Sequence, residues 1–295
     1  MAKTLVKTWS TPVIAVEKQL VPCTLCGRAD FKPAFSCEDF SYVQCVTCDL
    51  VQMNPQPLEA EIKLRYGCQG RGGNDYLAYE LANESGFLSL QLLALEDAGF
   101  NKLETELIST NNIDKPRILD IGCAIGSLLA VLNDRGWETT GVEISYPQAD
   151  YGKQKRNLDI RSLPLEENKF PGAFFNVVLA SHLIEHLNNP AAIVREVHRI
   201  LIPNGYFLVT TPNAAGFQAR LYGSRWRSAI FDHLYLFSAK TLTRLLREQG
   251  FIVEKISTWG GLAAGTAPVL VKRLFDKAAK RMSFGDVMII RARRQ

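Results

Sequence analysis

Arg117 to Glu143 reads RILDIGCAIGSLLAVLNDRGWETTGVE. Ile118-Leu119-Asp120-Ile121, just after Pro116, is a short apolar run that predicts a buried parallel strand. Gly122 and Gly126 bracket a turn made of Cys123, Ala124 and Ile125. Leu128, Leu129, Val131 and Leu132 then share one helical face, and Gly136 stops the helix. Thr139 to Ile144 reads as a second strand with Glu143 at its carboxyl end. These elements make half of a doubly wound nucleotide site. The glycines let a ligand approach the backbone, and the acid about 20 residues on can accept both hydroxyls of a ribose.

Working outward, the 295-residue length predicts one large domain with an appendage, or two domains. With 47% hydrophobic and 22% charged residues, the chain has ample material for a core. A net charge of +4 is too small to argue for nucleic acid. The longest nearly uncharged apolar stretch, Trp259 to Val271, is shorter than the roughly 18 to 20 residues that span a bilayer. The start, MAKTLVKTWSTPVIAV, lacks a sustained apolar core or a clear cleavage site, so no signal peptide is expected and the cytoplasm is the default.

Seven cysteines, four in two close pairs, suit a reducing compartment and a metal better than a disulfide framework. Cys23-Thr-Leu-Cys26-Gly27 and Cys45-Val-Thr-Cys48 form two knuckles that can converge on one Zn²⁺, leaving redox dithiols as the alternative. Cys37, Cys68 and Cys123 lie outside the pairs and read as ordinary small residues. The region is too short for a core of its own, so a structural zinc is expected to supply much of its stability.

A dinucleotide fingerprint would need glycines where this chain has Gly122, Ala124 and Ser127. The order Asp120-x-Gly122-x-Ala124-x-Gly126 instead resembles the first motif of class I S-adenosylmethionine-dependent methyltransferases, with Ala124 in place of the usual middle glycine. Further elements agree with the resemblance. Pro147 is expected to open a helix through Arg156, followed by a brief third strand at Leu158 to Arg161. FFNVVLAS, residues 174 to 181, is a fourth strand in which Asn176 replaces a common aspartate, a departure expected to weaken one structural anchor. SHLIEHLNNP resembles the family's motif after that strand. Pro190 then starts a helix, Pro203-Asn204-Gly205 closes it, and Tyr206 to Thr211 is strand five. Ser238 caps a helix through Gln249, Phe251 to Ser257 is strand six, and Val287 to Ala292 is the last strand. CTLCG followed by YVQCVTCDLVQMNPQP resembles the zinc-ribbon-like segment ahead of many bacterial members.

The resemblance, which extends to the ubiquinone-biosynthesis-type superfamily, implies an α/β fold. Its sheet is seven-stranded, doubly wound and Rossmann-like, with the last strand antiparallel between strands five and six, and a small zinc-binding domain precedes it. The expected divisions are 1–57, zinc-ribbon-like; 58–112, a helical cap including Leu77 to Leu95; and 113–295, the cofactor-binding domain, with an insertion at 212–237 folded over the sheet's carboxyl edge. The implied cofactor is S-adenosylmethionine, held by Asp120, Gly122, Cys123, Ala124, Gly126, Glu143, Ile144, Leu163, Ser181 and His182.

The implied reaction is methyl transfer to a small-molecule acceptor such as a sugar, lipid or secondary-metabolite intermediate. Alignment carries much of such a rate, and an oxygen or nitrogen acceptor also calls for a base. His182 and His233 are the candidates. His186 reads as a structural hydrogen-bond partner and His198 as a packing residue. A catalytic divalent metal is disfavoured, because His182 stands where related enzymes carry an extra glutamate. In the insertion, Arg220, Tyr222, Arg225, Trp226 and Arg227 either grip an anionic or ring-shaped substrate or simply pack. Lys272 to Arg281 reads as a basic amphipathic helix beside the sheet or at a membrane surface. Two rival functions are a degenerate scaffold binding RNA or protein and a nicotinamide-dependent oxidoreductase. The acceptor atom and oligomeric state stay open.

Overall fold

A computed structural model describes residues 17–66, 73–110, 115–260, 279–280 and 282–295. Residues 272–278 and 281, the bulk of the basic segment, lie outside the described residues.

The described residues open with short antiparallel strands. β1 (Lys18–Gln19) pairs with β5 (Gln56–Pro57), and between them β2 (Phe31–Ser36), β3 (Ser41–Cys45) and β4 (Val51–Met53) form a meander. Three helices follow: α1 (Glu59–Tyr66), α2 (Gly73–Ala98) and α3 (Phe100–Thr110). Ala94, Leu95, Ala98 and Phe100 from this run are buried, and Phe100 stacks on Trp137 at 5.4 Å.

The alternating part comes next, in the expected order. It consists of β6 (Arg117–Ile121), α4 (Ser127–Asp134), β7 (Glu138–Val142), α5 (Tyr146–Arg156), β8 (Asp159–Arg161), β9 (Phe175–Ser181), α6 (Pro190–Ile200) and β10 (Leu201–Pro212). Then come α7 (Phe217–Tyr222), β11 (Tyr235–Leu236), α8 (Ala239–Glu248), β12 (Phe251–Trp259) and β13 (Val287–Arg294). The seven-stranded sheet runs β12-β13-β10-β9-β6-β7-β8. Strand β13 is antiparallel to both β10 and β12, and the inner pairs are parallel. The central strands β6 and β9 are apolar runs buried on both faces, as parallel sheets require.

Local signals account for the helix ends. Ser238 and Thr241 exchange the reciprocal bonds of a capping box at α8, an arrangement worth about 1 kcal/mol. Asn189 caps α6 by accepting from Ala192 N, with Pro190 in the first turn. Pro203-Asn204-Gly205 does not close α6, which already ends at Ile200. It sits inside β10 at an irregularity between Leu201 and Tyr206.

One further expectation needs correction. Asn176 does not weaken its anchor: its side-chain oxygen accepts from Arg117 N at 2.8 Å and locks β9 to the start of β6. An amide oxygen does here what a carboxylate oxygen would do. The stretch 212–237 also carries β11, which pairs with β4 and completes a four-stranded sheet, β11-β4-β3-β2. The cysteine-bearing region accordingly shares a core with the main sheet: Leu50, Met53 and Tyr42 belong to one buried cluster with Phe237, Leu242 and Phe207.

Candidate active site

The glycine turn forms because its backbone must double back from β6 into α4. Gly122, Ala124 and Gly126 all take left-handed conformations, with φ of 76°, 52° and 74°. Ala124 thus adopts the geometry a glycine would, at a steric cost on the order of 1 kcal/mol. Strand β7 ends at Val142, which places Glu143 and Ile144 just past the strand. Glu143 accepts from Ala124 N at 3.0 Å and from Ser145 N at 2.7 Å, so the acid braces the loop it faces.

Helix α2 crosses this region and brings acids that the sequence reading did not single out. Glu80 accepts from Ile125 N at 3.4 Å, and its second oxygen is buried with no hydrogen-bond partner among the described residues. One turn on, Glu84 accepts from Ser127 Oγ and from Arg156. The only signal available in sequence was this pair of acids one helical turn apart, and the helix carries further acids at Asp75, Glu96 and Asp97 that do not mark them out. Burial, reinforced by the Glu143 charge, pushes Asp120 up to about 8. Burial, together with the charges of Glu143 and Glu84, pushes Glu80 up to about 7 despite the Ile125 N–H. Glu143 is also raised by burial, against the lowering by its backbone bonds. Such a crowd of buried carboxyls favours a cationic ligand. A cavity beside it, under α2, is lined by Gln91, Asp120, Ser181 and Thr210. Cys123 is buried against the loop, whereas Leu163, in the turn after β8, is 51% exposed and Ile144 lies at the surface.

Beyond Ser181, His182 takes a left-handed φ of 52°, a strained conformation of the kind that clusters at functional sites. Its ring is 48% exposed, and Nδ1 lies 3.3 Å from the fully buried Glu185. Glu185 also accepts from Thr211 Oγ1 at 2.9 Å, so both of its oxygens have protein partners. Burial alone would raise Glu185. The His182 hydrogen bond and the charges of His182, His186 and His233 outweigh it and hold the carboxyl at about 2. With Nδ1 facing a carboxylate, His182 presents Nε2 as its basic atom.

His233 is placed differently. It is 7% exposed, its Nδ1 donates to Ser228 O at 2.8 Å, and its ring meets His186 edge-on at 4.7 Å. Burial and the neighbouring His186 charge lower it to about 4. Side-chain donor atoms of Glu185, His186 and His233 all lie within 4.8 Å of one another. His186 Nδ1 donates to Asp232 O, in keeping with the structural bond expected of it. His198 packs edge-on against Phe251, also as expected. Of the insertion's candidate grip, Trp226 and Arg227 are committed to buried Asp286, while Arg220, Tyr222 and Arg225 are exposed. A buried carboxylate has taken the partners that the sequence offered to a substrate.

Away from the cavity, Cys23, Cys26, Cys45 and Cys48 bring four sulfurs within 4.8 Å of one another. Cys23 and Cys48 are 3.4 Å apart, and Cys26 and Cys45 3.5 Å. Zn–S bonds of about 2.3 Å imply tetrahedral edges of roughly 3.8 Å, so the set fits one zinc ion. The knuckles are built alike. Gly27 N donates to Cys23 O, Asp49 N donates to Cys45 O, and both Gly27 and Asp49 are left-handed.

A methyltransferase-domain family matches residues 94–256, more than half of the chain. The chain belongs to this family, the class I S-adenosylmethionine-dependent methyltransferases. The ubiquinone biosynthesis O-methyltransferase of Bradyrhizobium diazoefficiens is 31% identical over 129 residues, covering 42% of this chain and 51% of that protein. A probable S-adenosylmethionine-dependent methyltransferase of Mycolicibacterium smegmatis is 33% identical over 144 residues, covering 46% of this chain and 52% of that protein. The chain thus spans about half the length of the curated relatives it matches. A methyltransferase structure from Thermotoga maritima, described as a possible histamine N-methyltransferase, shares the fold. Its TM-score is 0.52 at 19% identity, with 80% of this chain and 99% of that chain covered. Among the described residues, no helix is long and apolar enough to cross a membrane.

Proposed function

We propose that this chain transfers a methyl group from S-adenosylmethionine to an oxygen or nitrogen of a small-molecule acceptor, with His182 as the base. The pairing of exposed His182 with buried Glu185, at the strand end beside the glycine turn, is the observation that carries the reading. Bound S-adenosylmethionine would supply a methyl group already activated by its sulfonium. Asp120, the Gly122–Gly126 turn and Glu143 would hold the donor, with Glu80 adding negative charge. Cys123, Ile144, Leu163 and Ser181 would line it.

His182 Nε2 would take the acceptor's proton as the methyl moves, and Glu185 would stabilise the imidazolium and fix the ring. Alignment of donor and acceptor supplies the rest of the rate. The name of the Bradyrhizobium relative favours a hydroxyl acceptor on a small organic molecule. The four cysteines would hold one structural zinc. The scaffold alternative loses its motivation, since Ala124 takes the glycine conformation and Asn176 keeps its anchor bond.

The test is to incubate the protein with methyl-labelled S-adenosylmethionine and a small-molecule fraction of cell extract. Label should pass to a small molecule with wild type and fall to background with His182→Ala. Label appearing equally with both proteins would overturn the role of His182.

A further inference from the structure

The second cysteine pair sits at the turn of one hairpin, β3–β4, and the open end of the same hairpin grips the strap that carries His233. Tyr42 and Met53 face each other across it. The Tyr42 hydroxyl lies 2.7 Å from His233 O and 2.9 Å from Ile230 O, its single proton shared between two carbonyls. Met53 N donates to Leu234 O at 2.8 Å, and the strap then runs on as β11 against β4. Its other side holds the turn after β9. Leu234 N donates to Glu185 O at 2.8 Å, His186 Nδ1 to Asp232 O at 2.8 Å, and Tyr235 Oη to Asn188 O at 3.0 Å.

Residues 226–234 form no helix or strand, so beyond the turn bonds within the strap, bonds to other segments set their path. A hairpin whose strands are three to five residues long is marginal by itself. Its neighbours β2 and β11 and the shared core hold it in part, and a tetrahedral ion closing its turn would complete that hold, about 10 Å from Tyr42 at a strand rise of about 3.3 Å per residue.

We infer that the Cys45–Cys48 hairpin positions the acceptor side of the site, and that Tyr42 is the positioning residue that sets His233 and the Glu185 turn behind His182. This rests on the reading of His182 and Glu185 as the proton-handling pair. The zinc is thereby tied to the acceptor side but not to the donor loop, which is braced separately by Glu143 and α2.

The chain has only four histidines, so imidazole NMR on the full zinc-loaded protein can follow each one. In Tyr42→Phe, the His233 signal should shift and its midpoint rise from about 4 towards the ordinary value near 6.5. His198, on α6, should stay in place. S-adenosylhomocysteine affinity by calorimetry should hold within about twofold, and labelled-methyl transfer should fall about tenfold. Removing zinc from wild type with a chelator should move His233 the same way, and adding zinc back should restore it. If Tyr42→Phe fails to fold, the chelation series on wild type decides. An unmoved His233 signal after zinc removal would overturn the inference. Imidazoles that move while transfer holds would leave the hairpin's grip standing and overturn the base reading instead.

Discussion

The donor side and the acceptor side of this site are built in opposite ways. Most of the proposed donor side comes from one stretch of chain, in which Arg117 to Glu143 supplies strand, turn, helix and acid, and Glu143 reaches back only 19 residues to Ala124 N. Glu80 and Glu84 of α2 add braces from more than 40 residues away. The acceptor side is assembled from distant pieces. Tyr42 reaches 191 residues to His233 O, and His186 reaches 46 to Asp232 O. The donor loop is therefore held largely by its own stretch and α2, whereas the proposed acceptor side depends on a small sheet that shares its core with the large one.

The largest effect expected is on the acceptor side. His182→Ala should lower turnover by about 10² to 10⁴ while donor affinity stays within about twofold, read by label transfer and calorimetry. His233→Ala should cost less, because that ring is buried behind Glu185. If the order is reversed, His233 is the base and the two histidines exchange roles.

The next effect is on stability in acid. His233 is held near 4 in the fold, below the ordinary value near 6.5. Between those values the unfolded chain binds a proton that the fold does not, so this contribution is full above about 6.5 and is lost as pH falls towards 4. The difference amounts to about 3 kcal/mol. In urea titrations, the stability advantage of wild type over His233→Gln should shrink by about that amount from pH 7 to 4. A constant gap would mean that the imidazole is hydrated and loosely held.

On the donor side, Glu143→Ala should weaken S-adenosylhomocysteine at least about tenfold, one charged hydrogen bond being worth roughly 1.5 to 3 kcal/mol. Calorimetry on the folded variant checks it, and unchanged affinity would move the ribose contact elsewhere. A smaller effect follows from the raised carboxyls. Asp120, near 8, and Glu80, near 7, are partly protonated at neutral pH in the unliganded fold. A cation binds their ionised forms, so S-adenosylmethionine affinity should climb severalfold from pH 6 to 8.5, and Glu80→Gln should lose the lower part of that rise while the part set by Asp120 remains.

What was legible in the sequence follows the same division. The individual strands, the glycine turn and the helix capped at Ser238 announce themselves through period and spacing, which act over a few residues. The antiparallel last strand and the zinc-ribbon-like start came from resemblance, and the four sulfurs do converge. The pairing of Tyr235–Leu236 with Val51–Gln52 was not legible, because two residues of strand carry no periodicity. Neither was the capture of Trp226 and Arg227 by Asp286. A basic aromatic cluster looks the same in sequence whether its partner is a ligand or a buried carboxylate 59 residues away.

The central claim is that the carboxyl-lined turn binds the methyl donor, and titration calorimetry of the zinc-loaded chain with S-adenosylmethionine, S-adenosylhomocysteine and NAD tests it most directly. The account predicts one site per chain for each of the first two, weakened in Glu143→Ala, and no binding of NAD. Binding of NAD in place of the other two, or no binding of any of the three by a folded chain, would contradict it.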